Sequence, residues 1–190
     1  MSKKIAIFAS GSGSNAENIV TYFDSNPEFE FPLIISNKID AFVHERAKKL
    51  KIPSFTFSKN EFEDGVFIVD LLKKYEIDGI ILAGFLLKVP KSILEAFPNK
   101  IINIHPALLP KYGGKGMYGD RVHTAVHAAG EKTSGITIHY VNENYDEGNI
   151  IFQAECELNN ADTPHSIAEK VHNLEYEWFP KIVERVFFDS

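Results

Sequence analysis

The sequence is poor in cysteine, in long apolar segments and in basic charge, and each shortage excludes a class of protein. Cys156 is the one cysteine in 190 residues, so neither an intramolecular disulfide nor a cysteine-built zinc site is available. The longest apolar run, residues 79–87, is far shorter than the roughly 20 residues of a membrane-spanning helix. A net charge of -6 argues against extended electrostatic binding to nucleic acid or to an anionic membrane. We therefore expect a cytoplasmic protein with neither kind of partner.

Length and composition favour one globular domain, which we expect to span residues 1–190. Hydrophobic residues make up 44% of the sequence and charged residues 24%, the usual balance of a chain that buries a core. Nothing in the pattern indicates an internal repeat, a low-complexity tract or a linker.

Short apolar runs alternate with helical patterns along most of the chain. Strands separated by helices in this way are typical of parallel βαβ units with right-handed crossovers. Strands are predicted at residues 4–9, 31–36, 54–57, 78–83 and 100–104, helices at 41–50, 66–75, 90–97 and 120–129, an antiparallel strand pair at 133–141 and 149–158, and a long helix from Thr163. The predicted fold class is α/β, a Rossmann-like doubly wound, mostly parallel sheet with an antiparallel C-terminal strand pair and a long C-terminal helix.

A glycine-rich turn, Ser10-Gly-Ser-Gly-Ser-Asn15, follows the first predicted strand and precedes a helix. Free backbone N–H groups and the positive end of a helix dipole meet there, which is a generic anion site suited to phosphate. The third glycine of the dinucleotide fingerprint is missing, and Asn37-Lys38 follows the second strand in place of a ribose-binding acid, so NAD binding is disfavoured. A turn that merely connects strand and helix remains an alternative.

Asn103 and His105 are two residues apart at the end of the fifth predicted strand, so their side chains share one face of it. An amide N–H and an imidazolium together can stabilise an oxygen that becomes negative when a nucleophile adds to an acyl carbon. An ordinary hydrogen-bonded histidine is an equally good interpretation of the residues alone.

Asp146 lies in the turn-rich stretch 142–148 between the last two predicted strands. Beside His105, its carboxylate is expected to raise the pKa of the imidazole and keep it protonated near neutral pH. The alternative is that Asp146 has a purely local role, because Asp residues fill turns through hydrogen bonds to their own backbone.

His123 and His127 are four residues apart on a predicted helix, but no third ligand lies nearby, so no metal is expected.

Four ordered motifs resemble the folate-dependent phosphoribosylglycinamide formyltransferase family. They are the turn at residues 10–15, Leu82-Ala-Gly-Phe85, Ile102-Asn-Ile-His-Pro106 followed by Leu108-Leu-Pro-Lys111, and Tyr145-Asp-Glu-Gly148. The resemblance runs nearly end to end and implies formyl transfer from 10-formyltetrahydrofolate, as co-substrate and without a metal, to the amine of phosphoribosylglycinamide in purine biosynthesis.

The resemblance also implies a role for each matching residue. Asn103 and His105 would hold the formyl oxygen, while Asp146 would orient His105 and help to move a proton. The implied substrate-binding residues are Gly13, Ser14, Asn15 and Glu175, and the implied folate-binding residues are Leu86, Leu87, Lys88, Val89, Asn103 and Asn142.

Two departures from the family pattern stand out. Leu86-Leu87 occupies the place where relatives often have Met-Arg, and Lys59 is the nearest basic residue to a family arginine that has no counterpart here. The glycines within residues 111–119 lead us to expect a mobile lid over the substrates.

Three other functions remain alternatives: the related methionyl-tRNA formyltransferase, the related formyltetrahydrofolate deformylase, and a binding module without catalysis. The first carries an additional RNA-binding domain for which this acidic chain has no room, and the anion turn favours a phosphorylated acceptor over water. The sequence leaves the oligomeric state open.

Overall fold

The computed structural model describes residues 2–188, in which helices alternate with strands over most of the chain. The strands are β1 (Lys3–Phe8), β2 (Phe29–Ser36), β3 (Ser54–Thr56), β4 (Gly79–Leu82), β5 (Ile101–His105), β6 (Thr133–Tyr140) and β7 (Ile150–Glu157). The helices are α1 (Ser14–Tyr22), α2 (Val43–Lys49), α3 (Lys59–Asp64), α4 (Val66–Lys74), α5 (Lys91–Ala96), α6 (Asp120–Ala128) and α7 (Pro164–Phe188). Within these residues, no helix is both long and apolar enough to cross a membrane.

All seven strands join one sheet in the order β3-β2-β1-β4-β5-β6-β7. Strands β1 to β5 pair in parallel, whereas β6 pairs antiparallel with β5 and β7 pairs antiparallel with β6. The predicted fold class is confirmed. Strands β2 and β3 lie on one side of β1, whereas β4, which the chain forms after β3, lies on the other side. Open α/β sheets bind ligands where the strand order reverses in this way.

The central strands carry apolar residues at consecutive positions because both of their faces are covered. In β1, Ile5 and Ile7 belong to a core that α1, α6 and α7 also line, while Ala6 and Phe8 belong to a second core shared with α3, α4 and α5. Alternate residues of a strand point to opposite faces, so burial on both sides removes the polar alternation of a half-exposed strand.

Helix α3 is the one element that the sequence patterns above do not predict. Ser58 and Glu61 form a capping box, in which the Ser58 N–H donates to Glu61 at 2.7 Å and the Glu61 N–H donates to the Ser58 hydroxyl at 3.4 Å. Gly65, with a φ of 72°, ends this helix and begins α4. A serine followed three residues later by glutamate is a recognised signal for a helix start.

Replacing Gly135 in β6 by alanine tests the packing of the antiparallel pair. An added Cβ would lie 2.8 Å from Leu108 Cδ2 and 2.9 Å from Glu155 Cα, and still closer to the Ala154 carbonyl oxygen. We expect Gly135→Ala to reduce the free energy of unfolding by about 1–3 kcal/mol, measured by urea denaturation. Gly11→Ala is the control, because nothing lies within 4 Å of its added Cβ. Equal stability of the two variants would contradict the packing described.

Candidate active site

A cleft of about 780 Å³ opens at the carboxyl ends of the central parallel strands. Its walls come from the turn after β1, from the segment after β4, from the end of β5 and from α7. Asn103, His105, Asp146, Ser14 and Glu175 all line it. The structure therefore brings together residues from four separate parts of the sequence that were predicted to act in one site.

The glycine turn after β1 leaves the start of α1 open to this cleft. Gly13 is the N-cap of α1 with a φ of 72°, and no side chain caps the helix. Glycine is required at this position, since an added Cβ would lie 2.7 Å from Val43 Cβ in a conformation that other residues avoid. With Ser14 and Asn15 also in the cleft wall, the uncapped helix end suits an anion.

Glu175 on α7 connects this turn to a histidine that the sequence interpretation missed. Its Oε2 accepts hydrogen bonds from Asn15 Nδ2 and His172 Nδ1, both at 2.9 Å, while His172 Nε2 lies 3.4 Å from the Ser14 hydroxyl. The hydrogen bond to Glu175 raises the pKa of His172. His172 and Glu175 are three residues apart on a helix, a spacing that places both on one face.

His105 ends β5 and contacts both the loop that follows it and Asp146. Its Nε2–H donates to the Tyr112 carbonyl at 2.7 Å, while Nδ1 lies 3.5 Å from Asp146 Oδ2. The Gly114 N–H donates to the same carboxylate oxygen at 2.9 Å, and Asp146 itself adopts a φ of 56°. The carboxylate thus joins residues 111–119 to the end of β5.

His139 on β6 is a second buried imidazole beside Asp146, and it was not predicted. Its Nε2 lies 3.1 Å from Asn103 Nδ2 and 3.6 Å from Asp146 Oδ1. In the antiparallel pairing of β5 with β6, Asn103 stands directly opposite His139, so their side chains share one face. Only the pairing register of β5 with β6 places His139 beside Asn103, and the prediction of single strands does not give that register.

His123 also lines the cleft, whereas His127 is exposed on the same helix α6. Burial lowers the pKa of His123, whose Nδ1 is buried without a hydrogen-bond partner. Among residues 2–188, no group of three or more His, Cys, Asp or Glu side chains is placed to hold a metal ion.

The residues predicted to bind folate are only partly gathered at the cleft. Leu86 lines it, with its N–H donating to the Ser10 hydroxyl at 2.8 Å. Asn142 is exposed and accepts a hydrogen bond from the Asn144 N–H. Outside the cleft wall lie Leu87, Lys88, Val89, Asn142 and Lys59.

Comparison with known proteins identifies the family. The sequence profile of the formyl transferase family, described as "Formyl transferase", matches residues 3–183. This chain belongs to the formyl transferase family. The resemblance inferred from the motifs is confirmed.

Several relatives of this formyl transferase are named phosphoribosylglycinamide formyltransferase. The chain is 39% identical over 189 residues to the phosphoribosylglycinamide formyltransferase of Bacillus subtilis, covering 97% of this chain and 94% of that protein. It is 42% identical to the chloroplastic enzyme of that name from Arabidopsis thaliana, covering 95% of this chain and spanning 64% of that protein's length. A solved phosphoribosylglycinamide formyltransferase structure from Streptococcus pneumoniae has a TM-score of 0.85, with 35% identity and coverage of 97% and 99%.

The net pKa shift expected for His105 of this formyl transferase is wrong in direction. Burial lowers the pKa of His105, although Asp146 and the Tyr112 carbonyl act to raise it. Burial also acts to raise the pKa of Asp146, but His139, His105 and the Gly114 N–H outweigh it and hold that pKa below its usual value. Burial and the neighbouring charges thus shift the pKa of His105 in opposite directions, and burial is the larger influence.

The opposing effects on His105 give a pH-dependent test. Asp146→Asn removes the largest influence that raises its pKa, so we expect His105 to titrate at lower pH than in the unmodified protein. Ring proton NMR during a pH titration measures this. Glu143→Gln, at an exposed position of the same connection, is the control and should leave the titration unchanged. An upward shift in Asp146→Asn would overturn the electrostatic description.

Proposed function

We propose that this formyl transferase moves the formyl group of 10-formyltetrahydrofolate to the glycinamide amine of phosphoribosylglycinamide, a step of purine biosynthesis. The observation that carries the proposal is one cleft in which Asn103, His105 and Asp146 lie with an uncapped helix start at residues 13–15. An acyl-transfer group and an anion site together match an acceptor that carries both an amine and a phosphate. The relatives named for this activity support it.

The proposed chemistry joins the amine nitrogen to the formyl carbon and then breaks the bond from that carbon to the folate nitrogen. Asn103 and His105 donate hydrogen bonds to the formyl oxygen, which becomes negative in the tetrahedral intermediate. Asp146, kept ionised by its neighbours, orients His105 and assists the transfer of the amine proton through water to the departing folate nitrogen.

His105 reaches the formyl oxygen only if it gives up a present partner. Its Nε2–H now donates to the Tyr112 carbonyl at 2.7 Å, so productive binding exchanges that acceptor for the substrate oxygen. This exchange supports the expectation that residues 111–119 move as a lid, because Tyr112 lies within that loop.

Substrate recognition follows from the two other groups of residues. Backbone N–H groups at Gly13, Ser14 and Asn15 hold the phosphate, and the Glu175 carboxylate holds the ammonium form of the acceptor before it loses a proton. The cleft volume of about 780 Å³ lies within the roughly 300–1,000 Å³ typical of small-molecule sites. Leu86, in the cleft wall, supports folate binding here, whereas the parts assigned to Leu87, Lys88, Val89 and Asn142 stay predictions.

For partners and cellular location, the proposal is limited to small-molecule substrates. Small-molecule substrates are supported by the relatives, while the absence of nucleic acid partners stays a prediction. The cytoplasmic location also stays a prediction, since the Arabidopsis relative is named as chloroplastic.

His105→Ala tests the catalytic assignment. Loss of this donor is expected to lower turnover by about 100-fold or more, measured by absorbance with the formyl folate and phosphoribosylglycinamide. His127→Ala, which removes an exposed histidine outside the cleft, should retain full activity. Near-normal turnover in a folded His105→Ala protein would falsify the assignment.

The same assay on the unmodified protein distinguishes the alternative functions. Breakdown of the formyl folate without acceptor indicates a hydrolase, and binding of both ligands without transfer indicates a non-catalytic module.

Hydrogen exchange tests the lid. With both substrates or their analogues bound, backbone amides of residues 111–119 are expected to exchange more slowly, because the loop then closes over the ligands. The buried strand β1 serves as the internal reference. If exchange in the loop is the same with and without ligands, the lid is excluded.

A further inference from the structure

His139 is a buried titratable group for which the proposed chemistry has no use. Its side chain is 3% exposed, and it stands on β6 opposite Asn103. We propose that His139 is a positioning residue that fixes the orientation of the Asn103 carboxamide so that an N–H, and not the carbonyl oxygen, faces the formyl oxygen. The orientation of Asn103 is inferred from hydrogen-bond geometry alone. Its effect on catalysis rests on the proposed function.

The first step concerns the proton on the His139 ring. Its Nδ1 lies 2.9 Å from the Tyr140 carbonyl oxygen. A carbonyl oxygen only accepts hydrogen bonds, so Nδ1 carries the proton. In the neutral ring, Nε2 then has a lone pair and can only accept.

The second step concerns the amide opposite. Asn103 Nδ2 lies 3.1 Å from His139 Nε2, within hydrogen-bond distance. Of the two ends of a carboxamide, only the NH₂ group can donate to a lone pair, so the contact selects one of the two flipped orientations of Asn103. One N–H is committed to His139, and the second N–H of the same nitrogen is left for the substrate.

Asp146 is a charged group that also faces His139, but its position is less suited to a hydrogen bond with Nε2. Its Oδ1 lies 3.6 Å from Nε2. A hydrogen bond between them would lower the pKa of Asp146, but it needs a proton on Nε2 and is longer than an ordinary hydrogen bond. The His105 ring is the second titratable neighbour, joined to the group through Asp146 at 3.5 Å. Asn103 is therefore the hydrogen-bond partner of Nε2, and the carboxylate remains available to His105.

The close approach of the hairpin protects this arrangement. An added Cβ at Gly148 would lie 2.7 Å from the Tyr140 carbonyl carbon and 3.5 Å from His139 Nδ1, and closer still to the Tyr140 oxygen. Glycine at the end of the Tyr145–Gly148 motif thus leaves the Tyr140 carbonyl free to accept from His139. This gives a structural reason for a motif residue that no catalytic role explains.

Two substitutions of His139 separate its two hydrogen bonds. Asparagine places its amide near the position of Nδ1, so His139→Asn can keep the bond to Tyr140 but does not reach Asn103. Glutamine reaches the position of Nε2 with an acceptor oxygen. We expect His139→Asn to lower kcat about 10- to 100-fold with KM for both substrates changed less than about threefold, and His139→Gln to restore most of the lost kcat. Equal losses in both variants, or a loss confined to KM, overturn the proposal.

A double substitution distinguishes positioning from a general structural effect. In an Asn103→Ala protein there is no amide to orient, so adding His139→Asn should lower kcat by less than about twofold. A loss as large as that caused by His139→Asn alone overturns the proposal, because it would act independently of Asn103.

A measurement on the unmodified protein does not depend on activity or on whether the variants fold. Nitrogen-15 NMR of the His139 ring at pH 7 is expected to show a proton on Nδ1 and an unprotonated Nε2. A proton on Nε2, alone or in a doubly protonated ring, overturns the proposal. If the protein transfers no formyl group, the proposed function fails, while this measurement still decides the orientation of Asn103.

Discussion

Asp146 is held between two imidazoles, with His105 Nδ1 at 3.5 Å and His139 Nε2 at 3.6 Å. Its side chain is only 12% exposed, and a carboxylate this far from water is costly unless polar groups surround it. Three segments therefore have to converge on it: the end of β5, strand β6, and the loop whose Gly114 N–H donates to it. Because Asp146 comes from the β6–β7 connection, the antiparallel strands are as necessary to the site as the parallel ones.

The parallel and antiparallel halves of the sheet contribute different groups to the cleft. The parallel half ends in the turn at Gly13, where a helix start without a side-chain cap offers backbone N–H groups. The antiparallel half supplies the carboxylate and the second imidazole. Both halves are anchored at β5, since it pairs in parallel with β4 and antiparallel with β6. Asn103 and His105 thus lie on the one strand that belongs to both arrangements.

Sequence patterns predict the parts of this structure that depend on local chemistry. Runs such as β1 are buried on both faces and are apolar enough to be found directly, and the motifs located Asn103, His105 and Asp146. His139 was missed because its partner is set by strand register, which is a tertiary property. The predicted direction of the His105 pKa shift was wrong because burial outweighs the neighbouring carboxylate. The extent of burial cannot be seen in a sequence motif. Helix α3 was missed although its capping box is local.

Opposite electrostatic surroundings separate two histidines of the same cleft. Burial lowers the pKa of His105, whereas the hydrogen bond to Glu175 raises the pKa of His172, which is 44% exposed. His105 lies beside Asp146, where the proposed reaction moves a proton, and His172 lies 3.4 Å from the Ser14 hydroxyl at the start of α1. A positive imidazolium there adds to the positive end of the helix dipole. The pKa of one residue type is thus shifted in opposite directions in two parts of the cleft, because the surroundings of the two rings differ.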